Sequence, residues 1–163
     1  MSKTNSHQFS GTRGEKIAQG IKPENQRAKL IDWANDVLSV LDPKSNTQRK
    51  KFNTATVAFD EDTGDLYFGR NGGIDKFGDE IHPDLKKLLP SSSQNDYPTP
   101  WNCSESDAIN RALHGGAKLH NLHIYTIYTS EKGFGNPKAS CQNCTMTYKG
   151  KIKKNNTGWY KGE

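Results

Sequence analysis

The chain has only three cysteines, and an odd number cannot pair into a closed set of disulfides. A disulfide-stapled framework is therefore not expected to organise the fold. No apolar run is long enough to cross a bilayer. The opening residues also lack the apolar stretch of a conventional signal peptide, so the expectation is a soluble chain with no membrane partner and no classical leader. Apolar residues are scarce, at 31% of 163, and the mean hydropathy is -0.93. Such polarity implies that part of the chain is poorly ordered. Residues 1–14, rich in Ser, Thr, Asn and Gly, are the part expected to be disordered, which leaves one domain over residues 15–163. There is no internal repeat. What the chain does have is a formal charge of +5, which favours polyanionic partners. It also has three thiols, a number that suits a metal site or catalysis.

Periodicity supplies the elements. After Pro23, the residues Leu30, Ile31, Ala34, Val37, Leu38 and Leu41 form one apolar stripe of an amphipathic helix, which Asp42-Pro43 should end. Residues 54–59 and 65–69 read as two strands of a hairpin around the turn chemistry of Asp60 to Gly64. A short helix is expected over residues 83–89, followed by a serine- and proline-rich insertion placed to cover a site. A second main helix buries Ala108, Ile109, Ala112 and Leu113 and stops at Gly115-Gly116. Residues 122–129 are the best strand, apolar enough on both faces to be central. A short helix begins at Cys141, and Gly158-Trp159-Tyr160 is expected as a last strand. Helix, hairpin, helix, strand, helix, strand is the order of an α/β domain with a mixed sheet flanked by helices.

Two short motifs open helices in that scheme: Cys103-Ser104-Glu105 and Cys141-Gln142-Asn143-Cys144. Unpaired amides and the dipole at a helix start favour thiolate, the form that binds zinc. Cys103, Cys141 and Cys144 are therefore the candidate metal ligands. Three protein ligands leave a fourth tetrahedral position open, which is the catalytic rather than the structural pattern. Glu105, two residues from a ligand, is the candidate proton carrier between water, a ring nitrogen and a leaving amine.

This arrangement resembles the cytidine deaminase-like superfamily, in which His or Cys, any residue and Glu precede Pro-Cys-x-x-Cys on the next helix. More narrowly it is similar to the YwqJ-like deaminase domains of bacterial polymorphic toxins, over roughly residues 52–160. Ser140 departs from the pattern, since proline is usual there, and little chain remains after Lys154 for a long final strand. The resemblance implies a single deaminase-like domain with zinc at two helix N-termini. It also implies hydrolytic deamination of a nucleobase, with cytosine to uracil favoured, in nucleic acid or as a nucleotide. Asn71 and Trp101 are implied as contacts to ribose and base, and the backbone around Ser104 as reader of the base edge. A secreted effector acting in the cytoplasm of a target cell, with a cognate immunity protein, is implied as well.

Other readings use the same residues differently. A zinc-stabilised nucleic-acid-binding module without catalysis would need a fourth protein ligand, which a histidine would have to provide. A thiol oxidoreductase built on Cys141 and Cys144 leaves Cys103 and Glu105 unexplained. His114, His120 and His123 lie at a helix end and beside a strand, so they are weaker candidates for the site. The basic runs 49–51 and 149–154, with Tyr148, Trp159 and Tyr160 near the second, suit single-stranded nucleic acid or plain solvated surface.

Overall fold

A computed structural model describes residues 7–41, 50–74, 80–89 and 102–161. Its elements are α1 (Arg13–Gly20), α2 (Pro23–Val40), β1 (Thr54–Asp60), β2 (Leu66–Arg70), α3 (Pro83–Lys86), α4 (Ser104–His114), β3 (Leu122–Tyr128), α5 (Gln142–Tyr148) and β4 (Lys154–Asn155). Together they form one α/β domain around a four-stranded mixed sheet in the order β2-β1-β3-β4. The hairpin β1–β2 is antiparallel, with Ala55 opposite Arg70 and Phe59 opposite Leu66. β3 runs antiparallel to β1, with Thr54 opposite Tyr128 and Asp60 opposite Leu122. β4 is parallel to β3 for two residues. The central position expected for β3 from its near-continuous apolar character is the one it occupies.

Side chains alternate across the strands, and each face has its own core. Ala55, Val57, Phe59, Leu66, Phe68, Tyr125 and Ile127 pack with Leu30 and Ala34, and the whole predicted stripe of α2 lies against this face. Ala58, Tyr67, Leu122 and Ile124 form the opposite face, covered by Ala108, Ile109, Ala112 and Leu113 of α4 and by Cys144 and Tyr148 of α5. The hairpin turn is built as its sequence suggests. Asp60 Oδ1 accepts from the Asp62 amide and Oδ2 from the Thr63 hydroxyl, at 2.9 and 3.1 Å. Gly64 takes φ +82°, a conformation that carries little penalty only without a side chain.

Two expectations differ from the structure. Residues 7–14, assigned from composition to a disordered opening stretch, pack against the domain. Phe9 and His7 are buried, the His7 ring bonds Asp36 at 2.6 Å, and Thr12 caps α1 in a reciprocal box with Glu15. Two buried rings in an otherwise polar stretch are a weak compositional signal, which explains the difference. Second, Gly158-Trp159-Tyr160 is not a strand. The last strand is Lys154–Asn155, and the chain then turns through Gly158 at φ +93°, with Trp159 packed against the core on the α4 face. The serine run after Pro90 lies outside the described residues.

Candidate metal centre

α4 and α5 bring their N-termini together on one face of the sheet, with Cys103 and Cys141 as the respective N-cap residues. α4 is held there by close backbone approach. A Cβ on Gly69 of β2 would come within 2.3 Å of the Ala108 amide nitrogen, and one on Gly73 within 2.0 Å of the Asp107 carboxylate. Asp107 closes the contact by accepting from the Arg70 amide at 2.9 Å and from Arg111 Nε at 3.1 Å. The first turn of α4 is consequently pinned to the end of the hairpin.

At this junction one ligand atom each from Cys103, Glu105 and Cys144 lie within 4.8 Å of one another. A tetrahedral zinc ion with Zn–S bonds near 2.3 Å holds its sulfurs about 4 Å apart, so this spacing is within reach of a bound ion. Such a group can hold a metal. Sulfur-rich donors suit zinc, although the donor set alone does not name the ion. Cys141 lies outside that group of three, but its thiol interacts with that of Cys144, which interacts with Cys103 as well. That contact, reinforced by the Cys144 amide and opposed by burial, pulls the Cys141 thiol down to about 6. Cys144, almost fully enclosed, is pushed well up by its two sulfur neighbours and by burial.

Glu105 is 3% exposed, and both of its oxygens are engaged. The Ser104 hydroxyl donates to Oε1 at 3.4 Å and the Ser140 hydroxyl to Oε2 at 3.1 Å. Ser104 Oγ is bonded in turn to Thr56 of β1, and Thr56 to Thr126 of β3, at 2.8 and 2.7 Å. On the other side, Asn155 Nδ2 donates to Ser140 Oγ at 2.8 Å. A continuous polar line thus runs from β3 through Glu105 to β4. A second line supports the sulfur: Cys103 Sγ meets Ser106 Oγ at 3.3 Å, and Ser106 Oγ meets the Tyr148 hydroxyl at 2.6 Å.

The remaining candidates are distributed unevenly. The Ser104 side chain points into the interior, toward the sheet. Asn71 lies beyond β2 with its side chain committed to the chain leading into β1 and to the first residue of that strand. Its Oδ1 accepts from the Asn53 and Thr54 amides, and its Nδ2 donates to the Lys51 carbonyl. Trp101 lies outside the described residues. His123 faces the other core, edge-on to Phe59 and bonded to Glu61, while His114 is exposed and bonds the Glu80 carbonyl. Tyr148 does not belong to a stacking surface. It is fully buried under the site, because it falls four residues after Cys144 and shares its helix face. That spacing, and the three residues from Cys103 to Ser106, were the available signals for the supporting hydroxyls. Compared with family models, with curated proteins and with solved structures, the chain gives no match.

Proposed function

We propose that this domain is a zinc-dependent nucleobase deaminase, converting cytosine to uracil with water consumed and ammonia released. One observation carries the reading. A buried carboxylate, Glu105, sits beside the sulfurs of Cys103 and Cys144 on the helix that presents Cys103. Cys103, Cys141 and Cys144 would hold the ion, which when bound would activate water as a nucleophile near neutral pH. Glu105 would take the water's proton and return protons to the ring nitrogen and the departing amine. The motif order, the mixed sheet and the helix starts are those of the cytidine deaminase-like resemblance. The extension to a secreted toxin domain, with a cognate immunity protein, rests on that resemblance alone. The net charge of +5 and the exposed Lys149, Lys151 and Lys154 favour a single-stranded DNA or RNA substrate over a free nucleotide.

A second reading has its own support. Glu105 is close enough to act as a fourth ligand, which would close the site as in a structural zinc module. Glu105→Gln separates the two. Purified protein is incubated with single- and double-stranded DNA, RNA and free nucleosides, and uracil and inosine are measured. In a deaminase, Glu105→Gln keeps about one zinc and loses a factor on the order of 10²–10⁴ in turnover. In a structural module, wild type deaminates nothing and Glu105→Gln loses zinc. A folded, zinc-loaded Glu105→Gln with wild-type turnover overturns the catalytic assignment.

A further inference from the structure

We propose that Ser140, backed by Asn155, is a positioning residue that fixes the Glu105 carboxylate beside the metal site. Ser140 is 2% exposed, so bulk water competes little for its hydroxyl, which is held by two bonds among the described residues. It donates to Glu105 Oε2 at 3.1 Å and accepts from Asn155 Nδ2 at 2.8 Å. Because a hydroxyl has one proton, the bond from Asn155 leaves that proton free to face the carboxylate. Asn155 is itself fixed. Its Nδ2 also donates to the Gly158 carbonyl, and its Oδ1 accepts from the Thr157 amide and hydroxyl. Ser140 is tied to the same turn through its own amide, which donates to the Gly158 carbonyl at 2.9 Å. The final turn of the chain thus acts as a rigid bracket whose tip is the Ser140 hydroxyl. Among the described residues, the other hydroxyl on the carboxylate is that of Ser104, at a longer 3.4 Å, so of the two Ser140 is the stronger restraint.

The bracket matters because Glu105 lies within ligand range of Cys103 and Cys144. A carboxylate released from Oε2 can rotate toward an ion held by those sulfurs. Fixed, it stays available to carry a proton. The catalytic consequence rests on the deaminase reading, but the positioning itself does not.

The test is a cycle of Ser140→Ala and Glu105→Gln, singly and together, with Ser140→Thr as the conservative variant. Each protein is loaded with cobalt(II), and its visible absorption is recorded during titration with thiocyanate. Ser140→Ala is expected to change the cobalt absorption and weaken thiocyanate binding by about 10-fold, in the range typical of supporting partners at metal sites. Ser140→Thr should restore both. In the Glu105→Gln background Ser140→Ala should change neither, because the effect passes through the carboxylate. Turnover of Ser140→Ala should fall about 10–100-fold with KM nearly unchanged. Unchanged cobalt spectra, or an equal change in both backgrounds, overturns the proposal. The latter would mean that Ser140 acts on neighbouring Cys141 directly. If Ser140→Ala does not fold, as judged by circular dichroism, Ser140→Gly removes the same hydroxyl and takes its place. Wild type that binds cobalt but deaminates nothing overturns the deaminase reading alone, and the cobalt cycle still decides Ser140. Wild type that takes up no cobalt overturns both.

Discussion

Cys144 stands between the other two thiols and is the most enclosed of the three, so its loss cannot be made good by water or by a neighbour. About one zinc per chain is expected by elemental analysis. Cys103→Ala, Cys141→Ala and Cys144→Ala should each lose it, together with part of the thermal stability, since binding and folding are coupled. Protein purified without chelator and found free of zinc would remove the site assignment. A different residue reports on pH. The Glu61 carboxyl is held below its ordinary value of 4.5, first by its bond from His123 and further by Lys153, with burial opposing. A depressed folded-state value means stabilisation that is complete above the unfolded value and is lost as pH falls through the folded one. Glu61→Gln should therefore be less stable than wild type by roughly 1 kcal/mol at pH 7. Urea unfolding should find that gap closing below pH 4.5, as the wild-type carboxyl gains its proton.

At the level of elements, the decisive contact is α4 against β2. Gly69→Ala would force a methyl into the backbone of Ala108, which cannot rotate aside as a side chain can. Overpacking of this kind costs about 1–3 kcal/mol, and here the displacement is passed to the helix that presents Cys103 and Glu105. Calorimetry should show the lowered Tm and metal titration a weakened site. The hairpin, the α2 stripe and the central strand were all legible beforehand, because period-2 and period-3.6 burial leave a direct trace in the order of apolar residues. Cys103, Cys141 and Glu105 were legible as helix-start residues, since N-cap placement depends on local chain. Much less legible was what supports them. Ser140 and Asn155 are ordinary polar residues whose meaning comes from meeting across β4, and Tyr148 reads as a surface aromatic until its helix face is known. The packing of Phe9 against the domain was hidden for the same reason, since a lone ring in polar sequence has no periodicity to announce it.

For the molecule as a whole, charge sets the long-range behaviour. If the +5 balance serves nucleic acid, affinity should fall steeply with salt as counterions are released. Neutralising Lys151, Lys153 and Lys154 together should lower the logarithmic slope by up to about 2 for a single strand. A slope that does not move assigns those lysines to solvated surface, and for Lys153 to its contact with Glu61 at 3.5 Å. The sheet order has a separate consequence, in time rather than space. β1 meets β2 through a tight local turn, but it meets β3 only by closing a long loop: the Thr129 hydroxyl donates to the Phe52 carbonyl 77 positions away. Pairings so distant in sequence form slowly. The cysteines lie on either side of β3 along the chain, so their convergence waits for that slow pairing. Zinc should then arrive after the rate-limiting step. In stopped-flow experiments it should leave the refolding rate nearly unchanged and slow unfolding, acting as a latch on the finished domain rather than as its nucleus.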